Sequence, residues 1–175
     1  MPLFRAAPED LPAIAQLVNS AYRGESSRRG WTTEADFLGG QRTDVDSLAR
    51  DLAINPGAQL LMMRDEPHGP LLGSVWLEPL KDGATWLLGM LTVRPDLQDQ
   101  QHGRGLLGMA EQEVRTAGGR CVRITVISIR DALIAWYERR GYARTGATRP
   151  WPYDDPAIGR PTVPDLAFVV LSRAI

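Results

Sequence analysis

Residues 91–107 constrain the fold more than any other part of the sequence. A short strand over residues 90–93 stops at Pro95, a polar loop follows, and a helix with apolar periodicity begins near Gly103. Because a strand, a glycine-bearing loop and a helix follow in that order, several backbone N–H groups and the positive helix end point at one place. The sequence therefore predicts a phosphate-binding site between this strand and this helix.

The remaining helix and strand patterns predict a mixed sheet. Apolar residues at helical spacing indicate two helices before residue 55, and alternation between turn signals indicates an antiparallel meander after it. Strands are predicted at 3–5, 59–64, 71–78, 84–93, 120–128, 142–145 and 165–171, and later helices from 103 and over 131–140. The fold class is therefore mixed α/β, with a largely antiparallel sheet of six to seven strands and helices on both faces.

One segment near the C-terminus departs from this alternation. Residues 146–164 contain prolines at 150, 152, 156, 161 and 164, too many for regular structure. The segment is also too long for a tight hairpin. We expect a lid-like loop within a single domain that spans residues 1–175.

Composition argues against several classes of function. A net charge of -1 does not favour a nucleic-acid-binding surface, and no apolar run approaches the length of a membrane-spanning helix. Cys121 is the only cysteine, which excludes an intramolecular disulfide and fits a cytoplasmic protein. With only His68 and His102 beside it, a metal site is not expected.

Three motifs together resemble the GNAT superfamily of acetyl-CoA-dependent N-acetyltransferases. Residues 5–11 resemble the first strand and helix of that family, residues 93–103 its pyrophosphate motif, and residues 135–142 its late helix, turn and strand. The resemblance implies acetyl-CoA as co-substrate. It also implies direct transfer of the acetyl group to the primary amine of a small molecule or a peptide.

The pyrophosphate motif of the family reads Gln/Arg-x-x-Gly-x-Gly/Ala. Aligned from the preceding strand, this chain has Gln98 first, Gln101 at the first glycine position and Gly103 at the second. An alternative alignment begins at Gln100 and matches the letters better, but it lies two residues too far from the strand. We prefer the first alignment, in which the Gln101 side chain crowds the phosphates.

The resemblance also implies which residues bind the cofactor. Backbone groups of the strand are expected at the thioester and pantetheine, and amides of residues 99–104 at the pyrophosphate. Arg130 replaces a frequent asparagine, and it either reaches the cofactor phosphates or faces solvent. The expected cofactor-binding residues are Leu91, Val93, Gln98, Gln101, His102, Gly103, Arg104 and Arg130.

For the chemistry, Tyr137 matches the family position that protonates the departing thiolate, although it also continues an apolar helix face. Glu78 is the expected base for the amine. Other carboxylates that could border the cleft are Glu34, Asp155 and Asp165, and a water chain is a further alternative. Residues 30–34 and 149–154 are expected to select a small polar amine.

Two other interpretations compete with this one. Gly103, Gly105 and Gly108 could belong to a Rossmann-type dinucleotide loop, but the preceding strand follows a meander instead of opening a βαβ unit. The second is a non-catalytic acyl-CoA sensor or interaction module, favoured by Gln101 and Arg130 at family positions. Small members of the family are often dimers, so a homodimer is also expected from the resemblance.

Overall fold

The computed structural model describes residues 1–175, and seven of its strands form one mixed sheet. The nine strands are β1 (Leu3–Arg5), β2 (Leu38–Gly39), β3 (Gln59–Met63), β4 (Gly73–Pro79), β5 (Thr85–Val93), β6 (Cys121–Ile127), β7 (Ala143–Pro150), β8 (Arg160–Pro161) and β9 (Ala167–Ala174). The helices are α1 (Leu11–Tyr22), α2 (Val45–Ile54), α3 (His102–Thr116) and α4 (Asp131–Glu138). None of these helices has both the length and the apolar character needed to span a membrane.

The sheet order is β1-β3-β4-β5-β6-β9-β7, and the short β2 and β8 pair separately. Every pair in the large sheet is antiparallel except β5 with β6, which is parallel. The predicted fold class is confirmed: a mixed, largely antiparallel sheet. A Rossmann-type arrangement is excluded, because that fold needs a mostly parallel sheet.

Helices cover both faces of the sheet, because strand side chains alternate between them. In β3, Leu60 and Met62 pack toward the face of α1 and α2, whereas Leu61 and Met63 pack toward the opposite face. That opposite face carries α3 and α4. The pair α1 and α2 therefore buries its apolar side chains in one half of the core, and the pair α3 and α4 in the other.

Strands β5 and β6 pair only at their first residues and then separate. The parallel register covers Thr85 to Leu87, opposite residues 121–123. Further along β5, the four residues from Gly89 to Thr92 stand against the three residues from Ser74 to Trp76 on β4. One extra residue therefore forms a bulge, and Met90 there has φ 45°. A bulge bends and twists its strand. The bend carries the second half of β5 away from β6 and leaves a gap between them.

The prediction for residues 146–164 is wrong at its start. Strand β7 continues to Pro150 and pairs with β9 after an irregular register between Arg144 and Thr148. All eight residues of β7 are exposed, so its sequence lacks the alternation that predicts a strand. Pro150 is tolerated because β7 lies at the edge of the sheet and has no neighbour on its outer side. The irregular segment is therefore residues 151–166, interrupted by a 3-10 turn at Pro156–Ile158 and by the two-residue β8.

Candidate active site

The backbone of β5 provides one wall of the gap. The Arg94 amide bonds to the Leu72 carbonyl on the β4 side, at 2.9 Å. Since successive residues alternate in direction, the polar backbone groups of Leu91 and Val93 face the gap. The Tyr22 hydroxyl donates to the Leu91 carbonyl at 2.6 Å, which is consistent with that direction.

The loop before α3 has the backbone conformation of an anion site. Asp99 and Gln101 both have positive φ, 63° and 64°, and α3 begins directly after Gln101. The first helical bond runs from the Gly105 amide to the Gln101 carbonyl, so the amides of residues 102–104 have no partner within the helix. No side chain caps them. These free donors and the helix dipole together suit a pyrophosphate.

A cavity of about 340 Å³ joins the helix end to the gap. Its lining includes Leu91 and Val93 from β5, and Gln98, Gln101, Gly103 and Arg104 from the loop and α3. The structure thus brings six of the expected cofactor-binding residues together. The His102 side chain does not line this cavity, although its amide belongs to the free first turn of α3.

Gln98 ties a distant loop to this cavity. Its Oε1 accepts from the Trp31 amide at 3.0 Å, and its Nε2 donates to the Thr32 hydroxyl at 2.9 Å and to the Val93 carbonyl at 3.2 Å. Gly30 passes so close to this amide that a Cβ there would overlap it. The side chain of Gln98 therefore holds residues 30–32 in place as a wall of the cavity, whereas the sequence predicted only direct cofactor contact.

Aromatic rings and arginines line the outer part of the cavity. The Arg140 guanidinium stacks 3.5 Å from the Trp136 ring centroid, and the Trp31 and Trp136 centroids are 6.2 Å apart. Burial lowers the pKa of Arg140, and the neighbouring Arg139 and Arg104 charges lower it further. Positive charges that repel one another in this way favour a phosphate-bearing ligand.

Tyr137 lies at the inner end of the cavity and is only 6% exposed. Its ring packs edge-on against Trp136, at 4.9 Å between centroids, and Tyr142, at 5.5 Å. Burial raises the pKa of Tyr137, so the phenol stays protonated and can donate a proton. Its two predicted roles, packing and proton donation, are compatible in this position.

Tyr22 is a site residue that the sequence analysis missed. It lies at the end of α1, lines the same cavity and donates to the Leu91 carbonyl. Burial raises its pKa as well. The only signal for Tyr22 in the sequence is an aromatic residue at the end of an amphipathic helix, and that signal equally indicates core packing.

Arg130 takes neither of the two places expected for it. Its guanidinium donates to the Glu34 carboxylate at 3.0 Å and to the Thr32 carbonyl at 2.7 Å, and its side chain is only 8% exposed. A guanidinium held by these two acceptors neither faces solvent nor reaches the helix end. The expectation of phosphate contact is therefore corrected.

The candidate bases lie in different environments. Glu34 is buried between Arg23 and Arg130, and Asp165 lines no described cavity. Glu78 is half-buried, accepts a hydrogen bond from the Trp76 indole at 3.1 Å, and lines an outer cavity of about 400 Å³.

Asp155 lines the same outer cavity, and its Oδ1 accepts from the Ala157 amide at 2.9 Å. Among the four candidate bases, Glu78 and Asp155 are therefore the two that line the outer cavity.

The tryptophans of the two loops predicted to select the acceptor, residues 30–34 and 149–154, line different cavities. Trp31 lines the cavity of about 340 Å³ at the start of α3, which we name the cofactor cavity. Trp151 stacks on Phe168 with 5.0 Å between centroids, and it contributes to a smaller cavity inside the gap. The Tyr153 hydroxyl accepts from the Leu166 amide at 2.7 Å, so Tyr153 anchors its own loop.

A mixed sheet with a gap beside a free helix end defines an enzyme-like site for a phosphate-bearing cofactor. The sequence matches the acetyltransferase (GNAT) family over residues 12–142. The chain belongs to this family, and acetyl-CoA is its acyl donor. Among curated protein sequences, none matches this chain.

Solved structures share the whole fold at low sequence identity. A ribosomal-protein-alanine N-acetyltransferase from Brucella melitensis is 18% identical, with a TM-score of 0.71 and complete coverage of both chains. The Salmonella typhimurium protein yncA, solved with its cofactor acetyl-CoA, is 19% identical, with a TM-score of 0.68 over 99% of this chain and 93% of its own. The ribosomal-protein-S18-alanine N-acetyltransferase from Escherichia coli is 18% identical, with the same TM-score and the same coverage.

Proposed function

We propose that this protein is an N-acetyltransferase that moves the acetyl group of acetyl-CoA directly to the primary amine of a small molecule or a peptide. One observation carries the proposal: Leu91 and Tyr137 both line the cavity at the helix end and the smaller cavity in the gap, so a thioester and an amine could meet beside them. Backbone donors and a protonated acid beside a two-ended passage meet the needs of direct acyl transfer.

The donor-binding residues follow from the cavity. The amides of residues 102–104 and the guanidinium groups of Arg104 and Arg140 would hold the phosphates of the cofactor. Backbone groups of Leu91 and Val93 would continue the β5 ladder onto the pantetheine amides. Gln101 is proposed to contact the pyrophosphate through its backbone, and Gln98 to act by holding the loop of Trp31.

The chemistry then needs two proton transfers. As the N–C bond forms and the C–S bond breaks, Tyr137 gives its proton to the departing thiolate. Glu78 takes the amine proton through water, because it lies on β4 opposite Leu87, four residues along β5 from Leu91. The bound acetyl-CoA supplies the activated thioester.

Residues 151–166 are proposed to act as a lid over the acceptor side. The Arg23 guanidinium donates to the Ile158 carbonyl at 3.0 Å, which fastens the segment to the end of α1. Trp151 and Ile158 both line the cavity in the gap. A cytoplasmic location and a homodimer stay predictions of the sequence.

The first test is titration of acetyl-CoA by calorimetry, with NAD as the comparison ligand, followed by a panel of amines assayed for free thiol. We expect micromolar binding of acetyl-CoA, about -8 kcal/mol, no binding of NAD, and amine-dependent thiol release. Absence of acetyl-CoA binding would refute the proposal.

A non-catalytic acyl-CoA sensor is the second candidate, favoured by the αL conformation of Gln101 at a family glycine position. The two functions separate in the same experiment. Binding of acetyl-CoA without thiol release from any small amine or peptide N-terminus would favour the sensor, whereas turnover with one amine would exclude it.

A further inference from the structure

The gap between β5 and β6 contains a second, smaller cavity of about 130 Å³. It shares Tyr22, Leu91 and Tyr137 with the cofactor cavity. On its other side it shares Arg42 and Ile158 with the outer cavity. A reacting amine would therefore pass through this smaller cavity, which we name the acceptor cavity.

Positive charge exceeds negative charge around the acceptor cavity. Glu34 is its only carboxylate, and this group pairs with both Arg23 and Arg130. The side chains of all three residues are less than 10% exposed. One carboxylate cannot neutralise two guanidinium groups, and arginine does not lose its proton in proteins. The buried triad thus keeps one uncompensated positive charge.

Arg42 adds a second positive charge that has no direct partner. Its side chain is half-buried, lines the acceptor cavity and makes no hydrogen bond or ion pair with the protein. Only its backbone is fixed, by a bond from its amide to Asn19 Oδ1 at 2.6 Å. The Nε of Arg23 is also buried and has no partner. The Arg42 guanidinium and the Nε of Arg23 are therefore two hydrogen-bond donors that have no acceptor in the acceptor cavity.

The other residues that line the acceptor cavity strengthen the effect of its excess positive charge. Most of the other walls are apolar, and charges interact more strongly where apolar walls exclude water. Uncompensated buried charge is costly unless a partner supplies the opposite charge. The carboxylates Asp51, Glu78 and Asp155 lie in the outer cavity, where Arg50 also lies.

We propose that the acceptor is a small amine that also bears a carboxylate, as an amino acid does, and that Arg42 selects it by binding that carboxylate. This inference rests on the proposed N-acetyltransferase function and names its substrate class. The carboxylate would take the charge that Glu34 leaves uncompensated, while the amine points to Leu91 and Tyr137. A protein N-terminus has no carboxylate beside its amine, so it would not satisfy the cavity.

The test compares matched acceptors in a thiol-release assay. Leucine is paired with leucine amide and with 3-methylbutylamine, which lack the carboxylate, and other amino acids are paired in the same way. We expect kcat/KM to be about 10- to 100-fold higher for the acids, the value of a charged hydrogen bond. Arg42→Gln should abolish this preference by raising the KM of the acids, with little change for the amide.

Arg42 is the suitable position for substitution because its side chain has no protein partner to lose. Replacing Arg23 would remove its hydrogen bonds to Glu34 and the Ile158 carbonyl, and replacing Arg130 would remove those to Glu34 and the Thr32 carbonyl. Either change would leave buried acceptors unsatisfied and would destabilise the fold. Arg120→Gln is the matched control, since it removes the same charge at an exposed position outside the cavity. It should leave the preference unchanged.

A binding measurement separates this inference from the proposed function. N-acetylleucine and N-(3-methylbutyl)acetamide are titrated by calorimetry into wild type and Arg42→Gln, which requires no turnover. Turnover without a preference for acids, or equal losses for acid and amide in Arg42→Gln, would overturn the inference and leave the acetyltransferase intact.

The same measurement also distinguishes a protein that binds carboxylates but acetylates no amine. If no amine is acetylated but N-acetylleucine binds wild type and not Arg42→Gln, the anion site stands and the enzymatic proposal fails. If the protein shows no turnover and no carboxylate-dependent binding, both the proposed function and this inference are refuted.

Discussion

The Tyr137 hydroxyl is the side-chain group on which the proposed chemistry depends most. Tyr137→Phe should lower kcat by about 10²- to 10³-fold, because the departing thiolate loses its acid, while acetyl-CoA binding stays unchanged. Burial raises the pKa of Tyr137, so the wild-type kcat should not fall on the alkaline side as the pH approaches 10. Steady-state kinetics across pH and calorimetry measure both effects.

Tyr142→Phe is the control for this substitution. It removes a buried phenol from the same ring stack, but that hydroxyl donates to Glu111 and lies outside the cofactor cavity. It should lower stability and keep kcat. Equal kcat in wild type and Tyr137→Phe at every pH would remove Tyr137 from the mechanism.

Gln101 has a strained, left-handed backbone conformation at the start of α3. A non-glycine residue in the αL region costs about 1–2 kcal/mol, and glycine recovers this at an entropic cost of about 0.5–1 kcal/mol. Gln101→Gly should therefore raise the free energy of unfolding slightly and tighten acetyl-CoA binding by uncrowding the amides. Chemical denaturation and calorimetry test this.

The neighbouring Gln100 provides the control, because it has no positive φ. Gln100→Gly should lower the free energy of unfolding, because glycine increases the entropy of the unfolded chain and relieves no strain at this position. Weaker acetyl-CoA binding by Gln101→Gly would show that the glutamine side chain contributes a useful contact.

At the scale of elements, one amide side chain fixes the loop at residues 30–32 against β5. Gln98→Ala removes three hydrogen bonds, so these residues should exchange amide hydrogens faster and acetyl-CoA should bind more weakly. Hydrogen exchange and calorimetry measure the two effects. Gln100→Ala, which loses a single exposed bond to the Asp96 carbonyl, should change neither. Unchanged exchange in Gln98→Ala would mean that packing alone fixes the loop.

The proposed lid depends on its own internal bonds. Tyr153→Phe keeps the ring but removes the acceptor for the Leu166 amide. We expect a higher KM for the amine and unchanged acetyl-CoA affinity, because the segment covers only the acceptor side. Kinetics with the amine that serves as substrate measure this, and a matching rise in the Kd of acetyl-CoA would contradict it.

At the scale of the whole molecule, three buried tyrosines make stability depend on alkaline pH. Burial raises the pKa of Tyr22, Tyr137 and Tyr142 above their ordinary 10.0. Their contribution is fully present below pH 10 and is lost as pH rises toward the folded-state values, because only the unfolded chain then releases these protons.

Urea unfolding followed by circular dichroism should therefore show stability that is nearly constant up to about pH 9 and falls markedly from about pH 10 upward. Tyr142→Phe removes one of the three groups, and its stability should fall less over the same range. Parallel falls in wild type and variant would show that other groups control the alkaline transition.

The sequence predicted the parts of the fold that depend on local periodicity. Helices α1, α3 and α4 and strands β3 to β6 appear where apolar spacing placed them. Strand β7 was partly missed because it is an exposed edge strand with no buried face to leave a pattern. The cap of α2 is Asp44, whose side chain accepts from the Ser47 amide at 2.7 Å.

By itself, the sequence determined the order of the main helices and strands, the loop with free amides before α3 and the position of Tyr137, because each depends on residues close together in the chain. Tertiary structure alone decided the gap at the Met90 bulge, the Tyr22 contact with Leu91 and the pairing of Arg130 with Glu34. Arg130 and Glu34 are 96 residues apart, and Tyr22 and Leu91 are 69. The physical reason is that local spacing fixes backbone conformation, whereas the partner of a buried charge or hydroxyl depends on which distant segments the fold brings into contact.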